Sequence, residues 1–188
     1  MKPIQTLISA AALSALAGTA FAASHATPNP QVGGADMFAD MTIVENAVNS
    51  PIHTTLVAAV QAAGLVDTLN SEGPFTVFAP TDEAFAALPE GTVETLVMPE
   101  NKDQLTKILT CHVVADNIMS DAIAGMIADS GGKQPVETVG GCTLQAEMSG
   151  DMITLTDENG GVATVTTADV RQSNGVIHVI DKVLLPAM

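Results

Sequence analysis

The chain has 188 residues, with 21 acidic against 6 basic side chains and a formal charge of −15 at pH 7. A surface this negative repels phosphate backbones and anionic headgroups, which excludes nucleic acid and anionic membranes as partners. Five Phe are its only aromatic residues apart from four His, and the lack of Trp and Tyr weighs against a ring platform on which a sugar would stack.

Residues 1–22 read as a secretory leader. Lys2 opens it, residues 7–18 form the apolar run, and Ala20-Phe21-Ala22 gives the small-x-small cleavage pattern. The run is too short for the roughly 30 Å hydrocarbon core of a bilayer, so no membrane span is expected. The next segment, 23–39, is rich in Pro, Gly, Asn and Ala and is expected to be a flexible arm. One domain is expected over 40–186, enough chain for a sizeable core. It is exported, and its final location is periplasmic or extracellular.

Thr42 opens a short helical pattern with Ile43, Val44, Ala47 and Val48 on one side. Ser50-Pro51 reads as a cap and first position that restart the helix. Ile52, Leu56, Val57, Val60 and Ala63 then follow at helical spacing, and Gly64 closes it. Residues 73–89, GPFTVFAPTDEAFAALP, organise the rest of the chain. They carry three of the five phenylalanines, Phe75, Phe78 and Phe85. Phe75 to Ala79 reads as a buried strand, which Pro80 stops because it has no N–H to donate. Thr81 or Asp82 caps the helical turn that follows.

Short helices are expected around Val93 and Leu96, from Asn101 through Leu105 and Ile108, and from Ser120 or Asp121 through Ile123 and Ile127. From Pro135 the pattern turns to β. Cys142, Leu144, Ala146 and Met148 alternate with polar residues, and Ser149-Gly150-Asp151 and Asn159-Gly160 are hairpin signals. Val170 to Gln172 reads as a short strand, and Val176 to Ile180 as a central strand covered on both faces. Helices first and a mostly antiparallel sheet second argue an α+β fold.

Two cysteines in an exported chain are best read as one disulfide, Cys111–Cys142, the alternative being burial as free thiols.

Two stretches resemble the signature boxes of the fasciclin domain. Thr76-Val77-Phe78-Ala79-Pro80-Thr81-Asp82-Glu83-Ala84-Phe85 is similar to the first. Ser173-Asn174-Gly175-Val176-Ile177-His178-Val179-Ile180-Asp181, followed by Val183-Leu184-Leu185-Pro186, is similar to the second. Between them, Cys111-His112 resembles the family's central Tyr-His element, with Cys where Tyr is usual. The resemblance implies a fasciclin-like β-wedge of mostly antiparallel strands packed against a cluster of short helices. It makes Thr76, Phe78, Pro80, Thr81, Phe85, His112, Asn174, Gly175 and His178 structural signature residues. It also implies an adhesion or matrix-type module rather than a catalyst. Asp169-Val170 match an Asp-Ile pair tied to partner contact in animal members, so that position is expected to face a partner.

No residue pattern supports chemistry. Cys111 and His112 are neighbours, and on a strand they point to opposite faces. His112 and His178 read as core histidines, His178 bonding to Asp181 or a backbone carbonyl, while His25 and His53 look exposed. No serine elbow or zinc spacing exists. Asp157-Glu158-Asn159-Gly160 lacks calcium-loop spacing, and the nine methionines form no copper-type cluster with His. The expectation is therefore no enzyme, no cofactor and no metal. What remains is an interaction module for a protein or a cell-surface or matrix component, acting through edge strands and the loop near Asp169 to Gly175. The alternative is a periplasmic binder of a small apolar ligand, since sequence cannot display a cavity.

Overall fold

The computed structural model describes residues 29–187, so the expected leader lies outside the described residues. In chain order it contains β1 (Gln31–Val32), β2 (Ala35–Asp36), α1 (Ile43–Asn49), α2 (Thr54–Ala63), α3 (Val66–Asn70), β3 (Phe75–Pro80) and α4 (Asp82–Ala86). There follow α5 (Thr92–Leu96), a 3₁₀ turn (Pro99–Asn101), α6 (Lys102–Thr110), β4 (Val113–Val114) and α7 (Ser120–Asp129). The last elements are β5 (Lys133–Glu137), β6 (Thr143–Ser149), β7 (Met152–Thr156), β8 (Val162–Gln172) and β9 (Gly175–Ile180).

Seven strands form one sheet in the order β4-β3-β9-β8-β7-β6-β5. All its pairings are antiparallel except that of β3 with β9, which run parallel with Phe78 opposite His178. The sheet curls until its ends nearly meet. Val139 donates its N–H to the Val113 carbonyl at 2.8 Å, and Gly140 to that of Thr110 at 3.0 Å. Those bonds cover the edge at β4, while the far edge, β5, carries Lys133 and Pro135, residues that discourage pairing with another strand.

The α+β reading holds, with β9 buried along its whole length as its apolar run requires. Because side chains alternate across a strand, β3 and β9 feed two cores at once. Val77, Ala79, Ile177 and Val179 pack against α1, α2 and α6 on one face. Phe78 and Ile180 fill the inside of the curl with Leu144, Leu155 and Ile123.

Three local expectations differ from what is observed. The segment taken as a flexible arm contains the β1–β2 hairpin, which is anchored because Val32 and Met37 are buried in the helical core. Ser50 ends α1 instead of starting α2, whose first turn is held by the Asp82 carboxylate. Residues 170–172 are the end of the single long strand β8, which has two register irregularities along its pairing with β9.

Candidate functional site

The histidines come first, as the side chains that the sequence offers for acid–base chemistry near neutral pH. His112 is fully buried behind the Cys111–Cys142 disulfide, whose Cα atoms are 5.4 Å apart. Its Nδ1 donates to the Ile108 carbonyl at 2.8 Å, and its Nε2 accepts the Leu184 N–H at 2.9 Å. Those partners fix a neutral ring, and burial draws its pKa down to about 4. His178 is arranged alike. Nε2 donates to the Ile118 carbonyl at 2.8 Å and Nδ1 accepts the Asp169 N–H at 3.3 Å, while burial lowers its pKa. The backbone-carbonyl alternative is the one realised. The Asp181 carboxylate instead accepts the Thr164 N–H.

His53 corrects an expectation: it is 3% exposed, not a surface residue. Nδ1 lies 2.7 Å from the Ser50 hydroxyl, and Nε2 has no hydrogen-bond partner. Burial lowers its pKa, the nearby Ala79 carbonyl opposing this from outside hydrogen-bond geometry. None of the three rings is within hydrogen-bond reach of a free thiol, and both cysteines are bonded to each other. The rings of His112 and His178 hold backbone in place, and His53 meets only the Ser50 hydroxyl.

The expected contact pair is turned inward. Asp169 stands at φ 59° in an irregularity of β8, a left-handed position that an Asp tolerates. The kink swings its carboxylate onto the first turn of α7, where it accepts the Ser120 N–H at 2.7 Å and the Ser120 hydroxyl. Val170 is completely buried in the helical core. The half-buried carboxylate is committed to capping α7, and the valine has no exposed surface to present to a partner.

Of the signature residues, Thr76, Asn174 and Gly175 lie at a different place, the head of the two central strands where β3 and β9 begin, while Pro80, Thr81 and Phe85 lie at the opposite end of β3. Thr76 donates to the Asp116 carbonyl at 2.6 Å and accepts the Ile118 N–H at 2.9 Å. Pro80 ends the pairing opposite Ile180, Thr81 caps α4 through the Ala84 N–H, and Phe85 is buried beneath it. Asn174 is a three-way stitch. Its Oδ1 accepts the Ile43 N–H at 3.0 Å, and its Nδ2 donates to the carbonyls of Leu69 at 2.7 Å and Ser71 at 3.1 Å. The backbones here approach so closely that a Cβ at Gly73 would land on the Asn174 carbonyl oxygen, and one at Gly175 on that of Phe75. Only glycine fits either position.

These contacts form the floor of an open groove of about 420 Å³. Thr42, Asn70, Glu72, Asn117 and Ser173 stand around it. The side chains of Glu72, Asn117 and Ser173 are exposed and have no hydrogen-bond or ion-pair partner among the described residues. Asn70 uses only its carbonyl oxygen, toward Thr42. The sequence reading reached Ser173 and Asn174 but missed Asn70, Glu72 and Asn117. Asn70 and Glu72 lie where α3 runs toward β3 and Asn117 lies between β4 and α7, and none carries a motif of its own.

A second recess is of opposite character. It lies between α1, α2, α3 and α6, is lined by Val44, Ala47, Val57, Val60, Leu65 and Leu109, and has a volume of about 40 Å³. Among the described residues no group of three His, Cys, Asp or Glu is placed to hold a metal ion, and no helix is long and apolar enough to cross a membrane.

A sheet of this topology with this helical cap defines the class, and comparison with known proteins gives the family. Residues 51–186 match the model of the fasciclin domain, and the chain belongs to that family, which is generally non-catalytic. It is 50% identical over 153 residues to protein sll1483 of Synechocystis sp., covering 79% of this chain and 75% of that one. It is 38% identical over 131 residues to transforming growth factor-beta-induced protein ig-h3 of Sus scrofa, covering 70% of this chain and 17% of that protein. Among solved structures, the FAS1 domain pair of the insect cell adhesion molecule fasciclin I superposes with a TM-score of 0.69 at 21% identity. That match covers 77% of this chain, which spans about half of the solved one.

Proposed function

We propose that this protein is an exported, non-enzymatic interaction module that meets a protein or a cell-surface or matrix component through its surface. One observation carries the reading. His112, His178 and the two cysteines are engaged in holding the fold, whereas the exposed groove at the head of β3 and β9 keeps polar groups without partners. A module that works by contact needs such a surface, and a catalyst needs the reverse. The likeness to the fasciclin I structure, described as that of a cell adhesion molecule, supports the same class of work. The disulfide and the leader pattern support export, because disulfides persist in oxidising compartments.

Crosslinking and capture from the exported fraction of the native host tests this. The expected result is a defined protein or matrix component enriched over an equally acidic unrelated protein. Turnover of a small substrate that is abolished in His112→Gln or His178→Gln protein of intact fold would overturn it.

The apolar recess favours a second reading, a binder of a small apolar ligand. Its volume of about 40 Å³ ranks it behind, since ligand sites usually offer about 300–1,000 Å³. Native mass spectrometry of protein from the host decides between them: a stoichiometric apolar molecule would bring this reading forward, and bare protein would retire it.

A further inference from the structure

The groove at the head of the central strands has a chemistry that selects its occupant. Its unpartnered groups include one carboxylate, Glu72, an amide, Asn117, and a hydroxyl, Ser173, and no Lys, Arg or His lines it. The nearest cation in sequence, Arg171, precedes the buried Gln172 on β8 and so stands on the opposite face of the strand. Around the groove the whole chain is negative, and among the described residues the one ion pair is Lys133–Glu147, on β5 and β6. The field therefore draws cations toward the surface, and this concave site offers them acceptor oxygens.

From these observations we infer that the groove receives an arginine side chain of a protein partner. A guanidinium has donors only, set in a planar fork, and it sheds water more readily than an ammonium group. It can engage the Glu72 carboxylate while its remaining N–H groups reach the Asn117 amide oxygen and the Ser173 hydroxyl. The floor is already rigid. Asn174 ties α1, α3 and β9 together, and Phe75 donates its N–H to the Asn174 carbonyl at 3.1 Å, so little ordering is needed on binding. The inference rests on the interaction-module reading and names the chemistry of its partner.

The test is a titration of ¹⁵N-labelled protein with N-acetyl-arginine amide at low salt. Saturable shifts are expected at residues 70–75, 117 and 173–175, weakened about fivefold in Glu72→Gln and unchanged in Glu90→Gln, an exposed carboxylate outside the groove. N-acetyl-lysine amide should bind more weakly. Shifts spread over surface carboxylates generally, equal loss in Glu72→Gln and Glu90→Gln, or equal affinity for the lysine probe would overturn the assignment. Failure here is distinguishable from failure of the parent reading. A host partner captured equally by wild-type and Glu72→Gln protein would keep the interaction module and remove the groove from it.

Discussion

Phe78 and His178 lie directly opposite one another in the parallel pairing of β3 and β9, with ring centroids 5.7 Å apart and planes inclined by 26°. Two stretches a hundred residues apart in sequence are joined there, one ring supplying apolar volume and the other fastening the Ile118 carbonyl. Phe78 is wholly buried in the curl of the sheet. Phe78→Ala should therefore cost about 3–5 kcal/mol, while Phe78→Leu should retain much of that because it leaves a smaller void. Urea midpoints at constant slope will read both.

Acid should loosen the protein before most carboxylates titrate. The folded pKa of His112 is about 4 against 6.5 for the free side chain. Between those values the unfolded chain binds a proton that the folded chain refuses. The stabilisation is complete above pH 6.5 and is lost as pH falls toward 4, amounting to about 3 kcal/mol. His53 and His178 are lowered in the same sense. The urea midpoint should fall from pH 7.5 to pH 5, and His112→Gln should be less stable at pH 7.5 with a shallower dependence. A midpoint that rises across this interval would show that relief of acidic repulsion dominates instead.

Two glycine substitutions should have opposite signs. Gly175→Ala places a methyl group on the Phe75 carbonyl oxygen, and both backbones are fixed by the β3–β9 pairing, so a loss of more than about 3 kcal/mol is expected. Gly125 is exposed within α7, and a Cβ there meets nothing within 4 Å. Gly125→Ala should stabilise by about 0.5–1 kcal/mol through helix propensity alone. Thermal melts of both variants make the comparison.

Reduction should be costly. The Cys111–Cys142 bond closes a loop of 31 residues and ties the end of α6 to the start of β6. The chain-entropy model gives about 3–4 kcal/mol for such a loop. A Cys111→Ala/Cys142→Ala variant should melt well below the oxidised protein, and unreduced exported material should take up no thiol label.

What was legible in the sequence was whatever is encoded locally. β9 showed itself as a run that is apolar apart from His178, the hairpins by Ser149-Gly150 and Asn159-Gly160, and the start of α4 by Thr81, which bonds three residues ahead. What escaped is encoded across distance. The first turn of α2 is capped by Asp82, 27 positions from Thr55. That of α7 is capped by Asp169, 49 positions from Ser120, and α1, which has its own Thr42–Glu45 capping box, takes a further bond at Ile43 from Asn174, 131 positions away. A cap from another part of the chain leaves no local trace, so Ser50 was a natural but mistaken choice for that role in α2. For the same reason Asp169 resembled a surface contact residue although its carboxylate is spent on α7. The groove was hidden similarly, because Glu72, Asn117 and Ser173 acquire meaning only when three connections converge.

The most direct test of the central claim, that the protein works through this groove and not through its buried histidines, is site-specific photo-crosslinking in the exported fraction. A photoreactive residue at Ser173 should form a discrete adduct whose yield falls several-fold when Glu72→Gln is added, while the same residue at Glu90 should form none. Adducts of equal yield at Glu90, or a captured partner that never crosslinks from Ser173, would contradict the account.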